Sequence, residues 1–341
     1  MIKFSTWRIE GFNNIDDLQN VLLNNTEIVN NVEWDERNLV YRIEPQEGFA
    51  LTEIREIPIE GENVRFLYFK VLIERQKRIW NENQPLSERI TPYLEDVLIY
   101  EDNNTIKLVV LSTKRKAERV IKYMFPQEVW GVISEDNGID KDLLYWVFHR
   151  LRDFPNVELV QNTGLYITGL ISYMGKSKDE INAVRGNGVR VAALLGTLAF
   201  IFNNEDLRAL RPEFQYNNHT VVAEIHLDNS NKIIEKHYRG NFMELEEPLR
   251  SIAILIFTCK IIIPTLIECY LYNRRTNMWS SQMKLIFLQT IGDSIRDTVD
   301  TELERIREEI NRLNEDDVEI LEVEEDFEDD EEIENEEFEE D

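Results

Sequence analysis

The stretch TEIREIPIEGENVRFLYFKVLI, residues 52–73, reads as two strands of alternating apolar and polar residues joined by the turn Glu60 to Asn63, where Gly61 supplies a positive-φ position. Three further stretches repeat the pattern. They are Asp35 to Asn38 between NNVEW and LVYRIE, Glu101 to Asn104 between DVLIY and TIKLVVLS, and Asp228 to Asn231 between TVVAEIHL and KIIEK. Antiparallel hairpins are therefore predicted in both halves of the chain. Helical periodicity marks Asn14 to Leu23, Lys114 to Met124, Lys141 to Arg152, Lys178 to Phe202 and nearly all of Glu244 to Asn314. Hairpins mixed with helices, without regular strand and helix alternation, predict an α+β fold over a doubly wound one. No period of 20–50 residues recurs, which argues against a solenoid.

The 341 residues are 43% apolar and 10% aromatic, enough for a substantial core, and carry a formal charge of −28. The charge is unevenly placed. Residues 315–341 hold 19 Asp and Glu and no Lys or Arg, leaving 47 acids against 38 bases in the first 314 residues. A generally basic nucleic-acid coat is excluded. The expected organisation is an N-terminal α+β domain (1–155), a second α+β region of helix plus hairpin (156–243), a helical C-terminal region (244–314) and a disordered acidic tail (315–341). The first boundary is placed at DFPNVELVQNT, residues 153–163, where Pro155 and polar residues follow an amphipathic helix.

The opening MIKFSTWRIE lacks the apolar run and cleavage site of a secretory signal, so a cytoplasmic location is expected. Cys259 and Cys269 lie ten apart in an apolar stretch, where burial in the reduced state is expected, and neither a disulfide framework nor a zinc site fits. Ile252 to Tyr272 has the length of a membrane span, but Lys260, Pro264 and Glu268 interrupt it, which favours a buried helix whose Lys260 or Glu268 reaches an edge or a partner.

Farther on, Val299, Leu303, Ile306, Ile310 and Leu313 are spaced four, three, four and three apart, a heptad seam about two repeats long amid mixed charges. Two readings of the seam follow: packing against the chain's own helix at 244–275, or a homodimer. Beyond it, Val318, Ile320, Leu321, Val323, Phe327, Ile333 and Phe338 dot the acidic segment and suit docking on a basic, grooved partner.

Gly175-Lys176-Ser177, after the strand LYITGLIS, resembles a P-loop only superficially. Five bulky residues separate Gly169 from Gly175 where the loop needs four. The same residues with Lys178 suit a helix N-terminus, with Ser177 and Glu180 as a capping box, and Arg185 and Arg190 flank Gly-Asn-Gly farther along. Lys176, Ser177, Lys178, Arg185 and Arg190 thus form one candidate anion or nucleic-acid contact. Lys114, Arg115, Lys116 and Arg119, with Lys122 and with Lys70, Arg75, Lys77 and Arg78 as neighbours, form another. Tyr123 and Phe125 suit core positions.

Glu224 and His226 share a strand face and suit a metal, without a third ligand. As Glu224-Ile225-His226 they also match the acidic position of an Asp…Glu-x-Lys nuclease without its lysine, Asp96 or Glu213 serving as the distant carboxylate. The other histidines, His149, His219 and His237, show no ligand spacing. No motif fixes a reaction, so no catalytic residue, cofactor or metal is assigned and an enzyme is not favoured. The expectation is a non-catalytic interaction subunit of a cytoplasmic prokaryotic complex, acting through its helical C-terminal region and acidic tail. The alternatives are a nucleic-acid-binding or nucleic-acid-processing component of a genome-defence or mobile-element system, and a membrane-associated component anchored at 252–272.

Overall fold

A computed structural model describes residues 1–30, 38–79, 81, 83–177, 181–188 and 191–328, of which 30, 86 and 314–328 are described as backbone. Its first hairpins follow from their turns. Strands β1 (Ile2–Ile9), β2 (Glu27–Asn30), β3 (Leu39–Pro45), β4 (Arg55–Ile59), β5 (Glu62–Gln76), β6 (Ile90–Asp102) and β7 (Thr105–Val110) come from the first third of the chain. The β4–β5 turn has φ of 47° at Glu60 and 85° at Gly61, and the β6–β7 turn has 47° at Asn103 and 62° at Asn104. Both are two-residue loops with the left-handed backbone that matches strand twist. The β2–β3 hairpin forms with Asn30 opposite Leu39; its turn residues 31–37 lie outside the described residues.

The second group is β8 (Ile133–Glu135), β9 (Leu165–Lys176), β10 (Ala183–Asn187), β11 (Asp206–Tyr216), β12 (His219–His226) and β13 (Asn231–Ile233). All join one antiparallel arrangement in the order β10-β9-β11-β12-β13-β1-β7-β6-β5-β3-β2, with β4 on β5 and β8 on β1. Strand β1 is the joint between the two groups. Its residues 2–4 pair with β13, and residues 5–9 pair with β7. Where β13 ends and β8 begins, Asn229 fills the gap. Its Oδ1 accepts from the Thr6 N–H at 3.1 Å and the Thr6 hydroxyl at 3.0 Å, and its Nδ2 donates to the Thr6 carbonyl at 2.8 Å. A side-chain amide thus supplies the pairing a neighbouring strand would supply.

The helices are α1 (Ile15–Asn24), α2 (Leu86–Arg89), α3 (Lys114–Met124), α4 (Gln127–Trp130), α5 (Lys141–Asp153), α6 (Leu195–Phe202), α7 (Leu249–Phe257), α8 (Ile263–Arg275) and α9 (Ser281–Glu328). The fold is α+β. Caps explain two of the starts: Asn14 accepts from the Asp17 N–H, and Asp140 from that of Leu143. One sheet face, with Phe66, Leu98, Tyr100, Phe214 and Ile225, packs against α5 to α9. On the N-terminal group the opposite face, with Phe69, Val71, Val97 and Leu108, is covered by α1 and α3.

The apolar run Leu249–Arg275 has the length and composition to cross a membrane, but here its Ile252 to Phe257 are buried in the first of these cores. Pro264 lacks the N–H that would bond to Lys260, and the helix responds with a π-turn, Thr258–Ile262, in which the Ile263 N–H bonds to the Thr258 carbonyl. Lys260 reaches the end of β6 and the start of β5, where it pairs with Asp102 and Glu62, as a buried helix requires. Cys259 and Cys269 are both free and buried.

The expected helix from Lys178 to Phe202 is not formed as such. Ala183–Asn187 is the edge strand β10, paired with Gly175 and its neighbours on β9, and only Leu195–Phe202 is α-helical. The physical reason is at Gly186. A Cβ there would stand 2.3 Å from Cε1 of Tyr173, so the glycine lets the strand lie against an aromatic ring. The glycines read as a helix interruption are strand and turn residues instead. The C-terminal region also departs from one continuous helix, because residues 276–280 break it and bury Trp279. Helix α9 then runs past Asn314 to Glu328, and residues 329–341 lie outside the described residues.

The His149 ring on α5 meets Phe154 and Phe287 edge to face and lies tilted against Trp279. Burial, with the Arg150 charge, pushes its imidazole down to about 4, and Asp153 at 3.5 Å does not reverse this. A histidine that protonates more easily unfolded than folded costs stability in acid. The contribution is intact above its unfolded pKa near 6.5 and is lost as the pH falls toward 4. His219, also lowered by burial, acts with the same sign. His149 alone is expected to contribute about 3 kcal/mol to the stability lost in urea unfolding between pH 7 and 4, and His149→Phe should flatten the slope by that amount. An unchanged slope in that variant would remove His149 as the source.

Candidate functional site: an exposed seam on a projecting helix

Helix α9 is rooted in the body by its first turns. Phe287 and Ile291 are buried, Met283, Leu288 and Ile295 are partly so, and Gly292 lets the Phe202 ring of α6 approach to where a Cβ would be 2.7 Å away. At the base, Asp142 of α5 collects donors from four directions: the Tyr270 hydroxyl, Trp279 Nε1 and Arg274 Nη1 each at 2.9 Å, and Lys284 Nζ at 3.3 Å. Burial would raise this carboxyl, but those donors hold it below the usual carboxylate range.

From Arg296 to Leu313 every residue is exposed, so the helix has left the body. The seam residues Val299, Leu303, Ile306, Ile310 and Leu313 are 39–58% exposed. Packing of this seam against the helices at 244–275 does not occur in the single chain. The reason is spacing: the turns that reach the body end at Ile295, before the heptad pattern begins. Around the seam, Arg305 bonds to Glu302 at 2.6 Å and lies 3.7 Å from Glu309, both solvated pairs of little net stability.

The two basic candidate sites stand apart. Helix α3 lies over β1, β3 and β5, whereas Lys176 ends β9 and Arg185 lies in β10. Strands β11, β12 and β13 separate β9 from β1, a span of roughly 20 Å at the usual strand spacing. Ser177 is in the β9–β10 turn, where its Oγ accepts from the Asn182 N–H at 3.0 Å. Among the described residues no helix starts there, and the chain continues from residue 183 as the edge strand β10, not as the expected helix. Lys178 and Arg190 lie outside the described residues.

On α3, Lys114 pairs with Glu135 and Lys116 with Glu95, each at 2.7 Å, while Arg115, Arg119 and Lys122 form no ion pair among the described residues. Lys70 is in mid-strand on β5, Arg75 lies near the end of that strand, and Lys77 and Arg78 follow it. Phe125 is buried, and Tyr123 packs at a tilt against Tyr41 with centroids 4.9 Å apart.

Glu224 and His226 do share a face, with His226 Nε2 donating to Glu224 Oε1 at 2.7 Å. Arg211 of β11 and Lys232 of β13 flank the same carboxylate. Burial would raise Glu224, but donors from His226, Lys232 and Arg211 hold it far below the usual range. Its oxygens are thus already occupied by cationic donors, an arrangement that repels a metal ion. Among the described residues no three His, Cys, Asp or Glu side chains converge as metal ligands do. Neither distant carboxylate joins it: Glu213 accepts from Thr168, and Asp96 is on β6, beyond β13, β1 and β7.

One constellation had no signal in the sequence. Glu60, at the β4–β5 turn, lies 3.1 Å from His219 Nε2, and His219 Nδ1 lies 2.5 Å from the Tyr238 hydroxyl. The carboxylate favours the proton on Nε2, so Nδ1 accepts from Tyr238. This chain fastens the hairpin tip to the β11–β12 turn, where Asn217 also donates to Glu60.

No family model matches the chain, and no curated protein matches it.

Proposed function

We propose that this protein is a non-catalytic association subunit that pairs with a second copy of itself through α9, the two helices running parallel. The observation that carries the reading is the exposed heptad seam on a helix that has already left its own body. Such a seam leaves aliphatic surface in water until a partner covers it.

Charge supports both the occupant and the direction. With Leu303 and Ile310 at a positions and Val299, Ile306 and Leu313 at d, Glu302 and Glu309 fall at g and Arg307 at e. A parallel pair places Glu302 beside Arg307 of the other copy. The antiparallel arrangement brings the glutamates together instead. The acidic segment after Leu313 then stands at one end of the assembly, continuing along the stalk to Glu328. The nucleic-acid reading has less support, because Lys114 and Lys116 are already neutralised and the two basic groups lie on separate parts of the sheet.

Sedimentation of the full chain at about 10 µM should give a mass at least twice the 40.5 kDa of one chain. Ile306→Asp should return it to a single-chain mass while the globular body still folds, since Ile306 lies on the exposed part of α9. Glu302→Arg should weaken association, and adding Arg307→Glu should restore it. A wild-type chain that sediments as a monomer throughout would overturn the proposal.

A further inference from the structure

The π-turn and the sheet do not close on each other. Between them lies a cleft of about 310 Å³, with Cys259, Ile263, Pro264 and Ile267 on the helical wall and Tyr100, Lys107 and Val109 on the sheet wall. Its size and mixed lining are those of a small-molecule site. The cleft has a cause in the sequence: Pro264 forces the wider turn, and Lys260, tied to Asp102 and Glu62, holds that turn at the ends of β5 and β6.

Two features point to an occupant. Tyr100 is 2% exposed and lines the cleft, yet its hydroxyl has no hydrogen-bond partner among the described residues. Unlike the Tyr93 hydroxyl, which is sealed inside the protein, it opens onto the cleft and can donate into it. Beside it, Lys107 Nζ gives one hydrogen bond, to Asp136 Oδ2 at 2.6 Å, and has two further protons to offer. Tyr100 and Lys107 stand directly opposite each other on β6 and β7, so the cleft receives donors from both. Asp136 and, at the rim, Glu268 supply negative charge next to them. A simple carboxylate would satisfy the donors but meet those two acids, whereas a simple amine would meet Lys107.

We infer that this cleft binds a small zwitterion of the α-amino-acid type with an aliphatic side chain. Its carboxylate accepts from Lys107 and Tyr100, its ammonium faces Asp136 and Glu268, and its side chain lies against Val109, Ile263 and Ile267.

Calorimetric titration of the full chain with L-leucine, 4-methylpentanoate and 3-methylbutylamine tests each part. L-leucine should bind saturably, and the two half-molecules at least about 10-fold more weakly, since each leaves a charged group unanswered. Tyr100→Phe, which keeps the ring in the core, and Lys107→Met should each weaken L-leucine binding by about 10-fold. The inference is overturned if L-leucine shows no saturation up to about 10 mM, if either half-molecule binds as well, or if Tyr100→Phe binds like the wild type.

Discussion

Asp142→Ala is expected to lower the unfolding free energy by about 4 kcal/mol, because each buried donor left without an acceptor costs about 1–3 kcal/mol. Two of its four partners cannot turn to water. Trp279 is fully buried and Tyr270 is 5% exposed, so the indole N–H and the phenol lose their acceptor outright. Arg274 and Lys284 are better placed to find solvent. The carboxylate also sits in the first turn of α5, where negative charge is favoured. Asp142→Asn keeps one acceptor oxygen and should recover part of the loss. Urea unfolding measures both, and a loss below about 1 kcal/mol for the alanine variant would show that the cluster is not a fastening. Since these donors come from α8, from the break before α9 and from α9 itself, the same variant should also loosen the root of the projecting helix.

Asn229→Ala should cost about 3 kcal/mol for two separable reasons. The first is the loss of three hydrogen bonds to Thr6, leaving a backbone N–H of β1 without its acceptor. The second is conformation: Asn229 has φ of 58°, a region alanine disfavours by about 1–2 kcal/mol. Asn229→Gly removes the side chain but not the backbone freedom, so its stability should lie between alanine and wild type. Equal losses for the two would place the whole effect in the hydrogen bonds, and no loss in either would deny Asn229 its part in joining β13, β1 and β8.

The hairpins were legible because their turns carry their own chemistry. Gly61, Asn103 and Asn104 accept left-handed backbone, and alternating strands on either side leave one register that buries the apolar face. Helix α3 was legible from periodicity alone. The segment 178–202 was misread because Gly186 looks the same in a weakened helix and in an edge strand; the deciding group, the Tyr173 ring, comes from another strand. Lys176, Ser177 and Arg185 inherited that error, since their expected setting was a helix start. The seam at 299–313 could be read as a seam, but whether the chain's own core would cover it depended on where Phe287 and Ile291 dock. Glu60 with His219, and Asp142 with Trp279, are contacts of long sequence separation, and no local pattern marks them.

The unbroken exposed run begins at Arg296 and the helix ends at Glu328, so the length of helix from Arg296 onward is about 50 Å at 1.5 Å per residue. In a parallel pair both globular portions would hang from the same end of that rod, related by an axis along it and presenting identical surfaces to one side. Any weak ligand of a single copy would then meet two tethered sites at once when it is itself repetitive, such as a filament or lattice. Avidity in that geometry can exceed the one-site affinity by roughly 10²–10⁴ without a new contact.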